Sequence, residues 1–217
     1  MKNQSKYFMH YKNKPYRYIG VAKHSEELID YVIYECLYPN DLGTLWIRPK
    51  DMFFEVADFQ GRTKPRFTQV PFEIKKFSAL TPELSQGLLK LCHETLIDFN
   101  EESFLAKFKN QKNMTVFCFY YEQTLVGFKA GYELDETKYY SWLGAVSKTH
   151  RRLGVAKALM HEQHAWAKSQ NYMLMQTKSD NRHKEMMQLN LNEGFNIVGT
   201  EQTALSPALK ILFEKKL

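Results

Sequence analysis

Residues 139–160 read YYSWLGAVSKTHRRLGVAKALM and place an apolar strand, a short basic turn and the start of a helix in immediate succession. The N–H groups of a helix's first turn have no partner within the helix, and the positive end of the helix dipole points at the preceding loop. Gly154 lets a ligand approach the backbone of this loop closely, and Arg151 and Arg152 add cationic donors. The segment therefore predicts an anion site that suits a diphosphate.

The positive charge of the chain is concentrated around this segment. Of the 217 residues, 30 are Lys or Arg and 24 are Asp or Glu, which gives a formal net charge of +6. Eight basic and two acidic residues lie between Lys148 and Lys184, so this stretch holds an excess equal to that of the whole chain. A local basic stretch of this kind suits a polyphosphate ligand.

The hydrophobic pattern from residue 72 onward predicts helices and strands in a mixed order. Thr81-Pro82-Glu83 supplies an N-cap followed by proline at the first helical position, which predicts the start of a helix. Three apolar runs later in the chain predict an antiparallel meander with its first turn at Glu122-Gln123. The elements predicted after the first helix are a helix at 101–109, strands VFCFYY, TLVGFKAGYEL and KYYSWLGAV, a helix at 155–168, a strand at 172–177, a helix at 184–192, and closing strands at 196–200 and 209–214.

The residues before 72 carry a different pattern. Turn-prone residues separate the short β-rich runs YFMHY, YRYIGVA, DYVIYECLY, TLWI and MFFEV, which predict five strands and are typical of a small barrel. Residues 57–72 read as a polar linker that contains proline. We therefore expect a small all-β, barrel-like domain at 1–70 and a second domain at 71–217.

The motif Arg151-Arg152-Leu153-Gly154-Val155-Ala156 resembles the R/Q-x-x-G-x-G/A signature of the GNAT acetyltransferase superfamily. Val146 ends an apolar strand five positions before the Arg, and Asn181 precedes a helix that runs into Glu193-Gly194-Phe195, as in the family's next motif. The order of elements over residues 72–217 is similar as well. The resemblance implies an α/β (α+β) GNAT fold with a mixed, mostly antiparallel sheet. It also implies an N-acetyltransferase that moves an acetyl group from acetyl-CoA to a primary amine by direct attack in a ternary complex.

The resemblance further implies which residues bind the co-substrate, acetyl-CoA. Main-chain groups of a splayed strand would pair with the pantetheine arm, and the N–H of Val146 would stabilise the oxyanion. The loop before the helix would hold the pyrophosphate, and Asn181 would hydrogen-bond the CoA arm. The expected cofactor-binding residues are Leu143, Gly144, Ala145 and Val146 on the strand, Arg151, Arg152, Leu153, Gly154, Val155 and Ala156 in the loop and helix start, and Asn181 and Asn190.

Two positions depart from the family pattern. Asn190 stands where the family has a Tyr four residues before the Gly-Phe pair, often the acid that protonates the leaving thiolate. Asn can donate a hydrogen bond but has no transferable proton, so the acid is left open between Tyr140, Tyr172 and water. Arg152 stands where many members carry glycine. Glu133, at the end of the run GYELDE, is our candidate for the base that neutralises the amine.

Residues 10–56 resemble a small bacterial domain of unknown function, DUF1653. The resemblance rests on His10-Tyr11-Lys12, His24-Ser25-Glu26, Val32-Ile33-Tyr34 and Trp46-Ile47-Arg48-Pro49, and it implies no activity. His24, Glu26 and Arg48 beside Tyr34 and Trp46 could line a polar-aromatic pocket, or they could belong to a turn with ordinary packing. We expect this domain to help select or recruit the amine acceptor.

Two other functions stay open. Small barrels with exposed aromatic and basic residues also bind nucleic acids, although the eleven basic and eight acidic residues of 1–70 form no clustered stripe. The loss of the Tyr at Asn190 would also suit a sensor that binds acyl-CoA without catalysis. The partners expected for an enzyme are a small-molecule or protein amine, with a homodimer left open.

Composition bounds the cellular setting. No run of about 18 apolar residues occurs, and the first residues lack the apolar core of a signal peptide. Cys36, Cys92 and Cys118 are far apart in apolar runs, which predicts buried free thiols without a zinc spacing. His161 and His164 are three apart on a predicted helix, but no third ligand is evident, so we expect no metal. We expect a cytoplasmic protein without a membrane anchor.

Overall fold

The structure, a computed structural model, describes residues 6–38, 40–59, 61–151, 153–203 and 206–217, with the side chains of 59, 203 and 206–208 left aside. The strands are β1 (Lys6–His10), β2 (Lys14–Lys23), β3 (Asp30–Cys36), β4 (Leu45–Pro49), β5 (Val56–Phe59), β6 (Arg62–Pro65), β7 (Phe67–Val70), β8 (Phe72–Phe77), β9 (Thr115–Tyr121), β10 (Thr124–Asp135), β11 (Lys138–Val146), β12 (Leu174–Asp180), β13 (Asn196–Thr203) and β14 (Ser206–Lys216). The helices are α1 (Lys50–Phe54), α2 (Pro82–Thr95), α3 (Glu101–Asn110), α4 (Val155–Ser169) and α5 (Lys184–Asn192), and a 3₁₀ turn spans Lys148–His150.

The amino-terminal strands form one antiparallel sheet in the order β4-β3-β2-β1-β7. β1 to β4 confirm four of the five strands predicted there, and the all-β character of this region is confirmed with them. β4 and β7 lie at opposite edges, and they do not pair with each other in the described residues. The sheet is therefore open there, without the closed barrel expected from the sequence.

Two predictions for this region are wrong. The run MFFEV was predicted as a strand, but α1 occupies most of it, because a helical turn directs Phe53 into the core, where its ring stacks on Phe67 at 4.1 Å between centroids. The predicted linker instead forms the β5–β6 hairpin and β7, which pairs with β1. All residues of β6 are exposed while Phe67 of β7 is buried, so the polar composition belongs to an exposed hairpin and an edge strand.

The second sheet has the order β13-β14-β12-β11-β10-β9-β8. Among its described strand pairs, β11 and β12 run parallel and all the others run antiparallel. α2 and α3 cover one face, where Leu88 and Phe104 join Phe128 in a buried cluster. α4 covers the other face, where Val155 and Leu159 join Phe119. This mixed, mostly antiparallel sheet confirms the predicted fold.

Local sequence signals set the ends of several elements as predicted. Thr81 caps α2, because its Oγ1 accepts a hydrogen bond from the N–H of Leu84 at 3.2 Å. Glu122 and Gln123 form the turn between β9 and β10 with φ angles of 46° and 68°. The helix predicted at 184–192 is α5. The order of elements after residue 72 therefore follows from short-range patterns that the chain carries in its sequence.

One hydrophobic cluster joins the two sheets. Tyr7 of β1 packs edge-on against Phe72 of β8, with ring centroids 5.9 Å apart. In the same cluster Leu37, directly after β3, lies against Gly154, so that a Cβ atom on Gly154 would collide with the Leu37 side chain and lie 2.8 Å from its carbonyl oxygen. The amino-terminal strands are therefore packed directly on the loop that precedes α4.

Charged side chains cross the same boundary. Glu35 of β3 pairs with Arg17 at 2.8 Å and with Lys157 of α4 at 3.4 Å. Lys157 also pairs at 3.4 Å with Glu193, whose carboxylate contacts His161 at 2.5 Å. The side chains of Glu35 and Glu193 are only 10% and 11% exposed, so the loss of one partner would leave a charge with little access to water. This network holds α4 between the amino-terminal sheet and the end of α5.

The three cysteines are buried free thiols, as the sequence predicts. Burial raises the pKa of Cys92 and Cys118 to about 12, so neither thiol ionises near neutral pH. Over the ranges that the structure describes, no helix combines the length and the apolar character needed to cross a membrane.

Replacement of Gly154 by Ala should destabilise the protein through its contact with Leu37. The φ of 74° at Gly154 costs a residue with a side chain about 1–2 kcal/mol, and the added Cβ would also collide with Leu37. Gly61 is the matched control, since it has the same φ of 74° and open space around its Cβ position. Urea unfolding should show Gly154→Ala to be less stable than Gly61→Ala by about 1–3 kcal/mol. Equal losses in the two variants would contradict the packing of Leu37 on this loop.

Candidate functional site

β11 and β12 are paired at one end only. Residues 138–140 of β11 lie parallel to 174–176 of β12, and the described residues beyond them form no further pairs between the two strands. Each strand keeps its other neighbour, β10 for β11 and β14 for β12. The sheet therefore opens as a V, and residues 143–146 line it with a main-chain edge that has no strand partner on this side.

A β-bulge in β11 marks the point where the V begins. Gly131 pairs with Ser141 and Ala130 pairs with Leu143, so Trp142 is the extra residue. Bulges bend a strand and interrupt the alternation of its side chains. Trp142 packs towards α3, with its ring 5.6 Å from that of Phe104. The bulge therefore turns β11 away from β12 while both strands stay in the sheet.

The loop after β11 leads into the N-terminus of α4. Gly154 is the N-cap, its carbonyl oxygen accepts the first helical hydrogen bond from the N–H of Ala158 at 2.9 Å, and no described side chain caps the helix. Arg151 is exposed, and its Nε donates to the carbonyl oxygen of Val146 at 3.4 Å. The side chain of Val155 is buried in the core, so it can offer a ligand only its main chain. The main-chain N–H groups of the first turn of α4 and the guanidinium of Arg151 are the donors that an anion site needs.

Arg152 and Asn181 also belong to the predicted site. Arg152 lies outside the described residues. Asn181 is exposed, two residues ahead of His183, which is the N-cap of α5, and the N–H of Asn181 donates to the carbonyl oxygen of Leu209 at 3.0 Å. A contact between the Asn181 side chain and CoA stays a prediction.

Four buried side chains on the α4 side of the sheet have polar atoms without a hydrogen-bond partner among the described residues. They are Ser141, Gln163, His164 and Asn190. Gln163 lies over β10, because its Nε2 is 2.9 Å from the Cβ position of Gly131, the register partner of Ser141 in β11. The ring of His164 is 5.4 Å from that of Phe195, whose N–H bonds to the carbonyl oxygen of Asn190. Buried polar atoms are nearly always paired, so this group indicates a place for a polar ligand or ordered water.

Lys129 is a site residue that the sequence analysis missed. It lies opposite Gly144 in β10, is 7% exposed, and has its Cγ 3.8 Å from the Cβ position of Gly144. Burial lowers the pKa of Lys129 to about 8, and no described carboxylate offsets this effect. Burial, together with the nearby charges of Lys215 and Lys129, also lowers the pKa of His164 to about 3. A lysine in the middle of an apolar strand was the available signal.

The opposite face of the sheet carries a row of polar side chains at the apex of the V. Tyr140 is in register with Gln176, and Gln176 with Glu214. The Nε2 of Gln176 donates to the carboxylate of Glu214 at 2.8 Å, and burial raises the pKa of Tyr140. The three side chains are half-buried, and they span the last paired residues before β11 and β12 separate.

Glu133 lies on the other face from this row. It is in register with Tyr139, and successive residues of a strand point to opposite faces, so Glu133 and Tyr140 face away from each other. The Glu133 carboxylate pairs with Lys112 at 2.5 Å and accepts hydrogen bonds from Tyr172 at 2.7 Å and from Asn113. These contacts lower the pKa of Glu133, and the hydrogen bond with Lys112 has the largest effect. This geometry gives no support to Glu133 as the base. Tyr172 donates its hydroxyl to the same carboxylate and therefore belongs to this cluster.

The opened sheet, the uncapped helix and the unpartnered polar atoms are the geometry expected of an acyltransferase. Two family models match the chain and confirm the resemblances found in the sequence. The model described as "Acetyltransferase (GNAT) family" matches residues 85–185, and the one described as "Protein of unknown function (DUF1653)" matches residues 6–69. The two matches lie in the order expected from the sequence, DUF1653 before GNAT. No curated protein matches the chain in sequence.

Solved structures of acetyltransferases have the same fold. Ard1 from Thermoplasma volcanium superposes with a TM-score of 0.59 at 19% identity, over 68% of this chain and 99% of its own. The ribosomal-protein-S18-alanine N-acetyltransferase from Escherichia coli superposes with a TM-score of 0.58 at 12% identity, over 67% of this chain and 93% of its own. A GNAT family acetyltransferase from Elizabethkingia anophelis, with acetyl-CoA bound, superposes with a TM-score of 0.57 at 17% identity, over 67% of this chain and 98% of its own. At these identities the comparisons establish the fold.

Removal of the buried charge of Lys129 should stabilise the protein at neutral pH. Below pH 8 the folded state holds a buried ammonium, and between pH 8 and 10.5 only the unfolded state keeps this proton, so stability should rise with pH across that window. We expect Lys129→Met to be more stable than the wild type at pH 7 by about 3 kcal/mol, with the gain declining above pH 8. The exposed Lys90→Met variant, as a control, should show no such gain. A Lys129→Met variant without added stability at pH 7 would contradict the buried charge.

Proposed function

We propose that the protein is an N-acetyltransferase that moves the acetyl group of acetyl-CoA to a primary amine. The observation that carries this proposal is the V between β11 and β12, which ends at the uncapped N-terminus of α4. An extended thioester can pair with the open edge of β11 as an added strand would, while its diphosphate lies at the helix N-terminus.

Each part of the co-substrate has a matching part of the site. Residues 143–146 would pair with the pantetheine arm, and the main chain of 153–156 together with Arg151 would hold the diphosphate. The amide atoms of Asn190 can donate to and accept from the amides of the arm, which gives this buried side chain a reason to lack a partner among the residues that the structure describes. The site thus offers main-chain groups where the arm is extended and cations where the ligand is charged.

The transfer itself is a displacement at the thioester carbonyl. The neutral amine forms the new C–N bond, the carbonyl oxygen takes up negative charge near the N–H of Val146, and the C–S bond then breaks to release the thiolate of CoA. The proton lost by the amine goes to a base, and the thiolate takes a proton from Tyr140 or from water. A protonated Lys129 on the α4 side would favour the negative thiolate electrostatically. Close placement of amine and thioester supplies much of the rate.

We assign the base to Glu214 in preference to Glu133. Glu214 belongs to the row with Gln176 and Tyr140, at the apex of the V, where the thioester carbonyl would lie. Glu133 faces the α4 side, and its pairing with Lys112 and Tyr172 stabilises the ionised form, which makes it a weaker base.

The acceptor is a primary amine that enters from the face covered by α2 and α3. The half-buried Tyr140 and Glu214 lie on this face, and a carboxylate there favours an acceptor that arrives as a cation. Protein N-termini belong to this class as well as small amines, and the Escherichia coli relative is named for an alanine of a ribosomal protein. We retain the cytoplasmic setting and a contribution of the DUF1653 domain to acceptor choice as parts of the proposal.

Acetyl-CoA should raise the melting temperature of the full chain in a saturable manner, because a ligand that binds only the folded state stabilises it. Arg151→Gln should weaken this binding about tenfold, since one charge-assisted contact to the diphosphate is lost. Lys168→Gln, at the other end of α4, is the matched control and should bind as the wild type does. If the wild type shows no shift at millimolar acetyl-CoA, the proposed co-substrate site is wrong.

Glu214→Gln and Glu133→Gln should separate the two candidate bases. With acetyl-CoA and a panel of amines that includes an alanine-initiated peptide, release of free CoA thiol measures the rate. We expect Glu214→Gln to lower kcat by about 10²-fold or more with unchanged acetyl-CoA binding, and Glu133→Gln to keep kcat while losing stability. The reverse pattern would assign the base to Glu133. A wild type that binds acetyl-CoA but acetylates no amine would favour the sensor.

A further inference from the structure

The amino-terminal sheet contains a cavity of about 350 Å³, separate from the opening between β11 and β12. Its volume lies within the range of small-molecule sites. Tyr16, Tyr34 and Phe67 line it and contact one another edge to face, with centroids 5.2 to 5.4 Å apart. Of the five residues that the sequence offered for such a pocket, Tyr34, Trp46 and Arg48 line it, whereas His24 and Glu26 do not.

The cavity is lined by cations as well as rings. Lys12, Lys14 and Arg48 line it, and its described lining includes no aspartate or glutamate. The Nζ of Lys14 lies 4.7 Å from the ring centroid of Tyr38, and the Nε of Arg48 donates to the hydroxyl of Tyr34 at 3.4 Å. None of the three cations forms an ion pair with a carboxylate in the part of the chain that the structure describes. Their charge is therefore available to an anion.

His10 adds a neutral donor to the same wall. Burial, and then the charges of Arg66, Arg48 and Lys12, lower the pKa of His10 to about 4, so the ring is uncharged at neutral pH. Its Nδ1 accepts a hydrogen bond from the N–H of Lys12 at 3.3 Å, so the proton of the neutral ring lies on Nε2. The wall thus combines a positive potential with a hydrogen-bond donor.

We propose that this cavity binds a small anion that carries a flat ring, of the nucleoside monophosphate class. The ring would lie against the aromatic side chains, and the phosphate would be held by Lys12, Lys14 and Arg48 through charge-assisted hydrogen bonds. Three motif pieces from β1, β3 and β4 meet here, since His10, Tyr34 and Arg48 come from separate parts of the sequence.

The surroundings favour a small ligand over a nucleic-acid strand. A strand needs cations that continue along its backbone. Here the cavity includes the apolar and 83% exposed Leu42 in its lining, whereas Leu45 and Ile47 alternate with Trp46 and Arg48 along β4 and face the other side of the sheet. The described lining thus gathers three cations at one cavity, which suits a single phosphate group.

Titration of the full chain with AMP, GMP, CMP and UMP tests this proposal. The titration is made without CoA, which itself carries an adenine nucleotide, and Trp142 beside the V reports any nucleotide that binds at the co-substrate site. Calorimetry measures the affinity. In an NMR spectrum, the indole N–H signals of Trp46, Trp142 and Trp166 show where the nucleotide binds, and the Trp46→Phe variant assigns the Trp46 signal. We expect at least one nucleotide to bind saturably and to move the Trp46 signal while the other two stay in place. Because Trp46 lines the cavity and belongs to the amino-terminal sheet, its signal reports this site independently of acetyl transfer.

Two exposed lysines allow a clean variant. Lys12→Gln/Lys14→Gln should weaken nucleotide binding about tenfold or more, and Lys64→Gln, an exposed lysine of β6 outside the cavity, should leave it within about twofold. Inorganic phosphate should bind more weakly than the nucleotide, because it has no ring. The proposal is overturned if no nucleotide binds, if the double variant binds as the wild type does, or if phosphate binds equally well. Binding of a twelve-residue oligouridylate without any mononucleotide would overturn it in favour of nucleic acid.

Discussion

Backbone hydrogen bonding makes the separation of β11 and β12 the constraint around which this molecule is organised. A strand inside a sheet normally has partners on both sides, and an unpaired edge near the core must be satisfied by something else. Here the bulge at Trp142 turns β11 away after Tyr140, and residues 143–146 are left with an open edge. The unpartnered atoms of Ser141, Gln163 and Asn190 lie on the side of the sheet where the same need arises. A ligand with amides along an extended arm would satisfy both sets of groups, as the proposed function requires.

In the proposed function, the two faces of the sheet have different roles. Lys129 and the unpartnered polar atoms are on the α4 side, where an arm can be held away from water. Tyr140 and Glu214 are on the other side, where an acceptor can enter and lose a proton. The apex of the V is the point at which the two faces communicate through the sheet, and this is where a thioester carbonyl would meet an amine.

The amino-terminal sheet is part of this arrangement, since it packs on the loop that would hold the diphosphate. Leu37 leaves no room for a side chain at Gly154, and Glu35 holds Lys157 one turn into α4. Glycine is thus required at position 154 for two reasons. Its backbone is left-handed, and Leu37, directly after β3, occupies the space that a side chain would need. Tyr38, next to Leu37, lines the cavity of the amino-terminal sheet, so the two sites are joined by adjacent residues of one loop.

The sequence by itself determined the elements whose signals are local. The cap at Thr81, the turn at Glu122-Gln123 and the strand-loop-helix around Gly154 depend on neighbouring residues, and so does the order of elements that identifies the family. Tertiary structure decided the fate of MFFEV, the place of β7 beside β1, and the opposite faces of Glu133 and Glu214. It also decided that Lys129 is buried. Each of these depends on contacts between residues far apart in the chain and on a one-residue bulge that changes which face a side chain takes, and no local pattern specifies either.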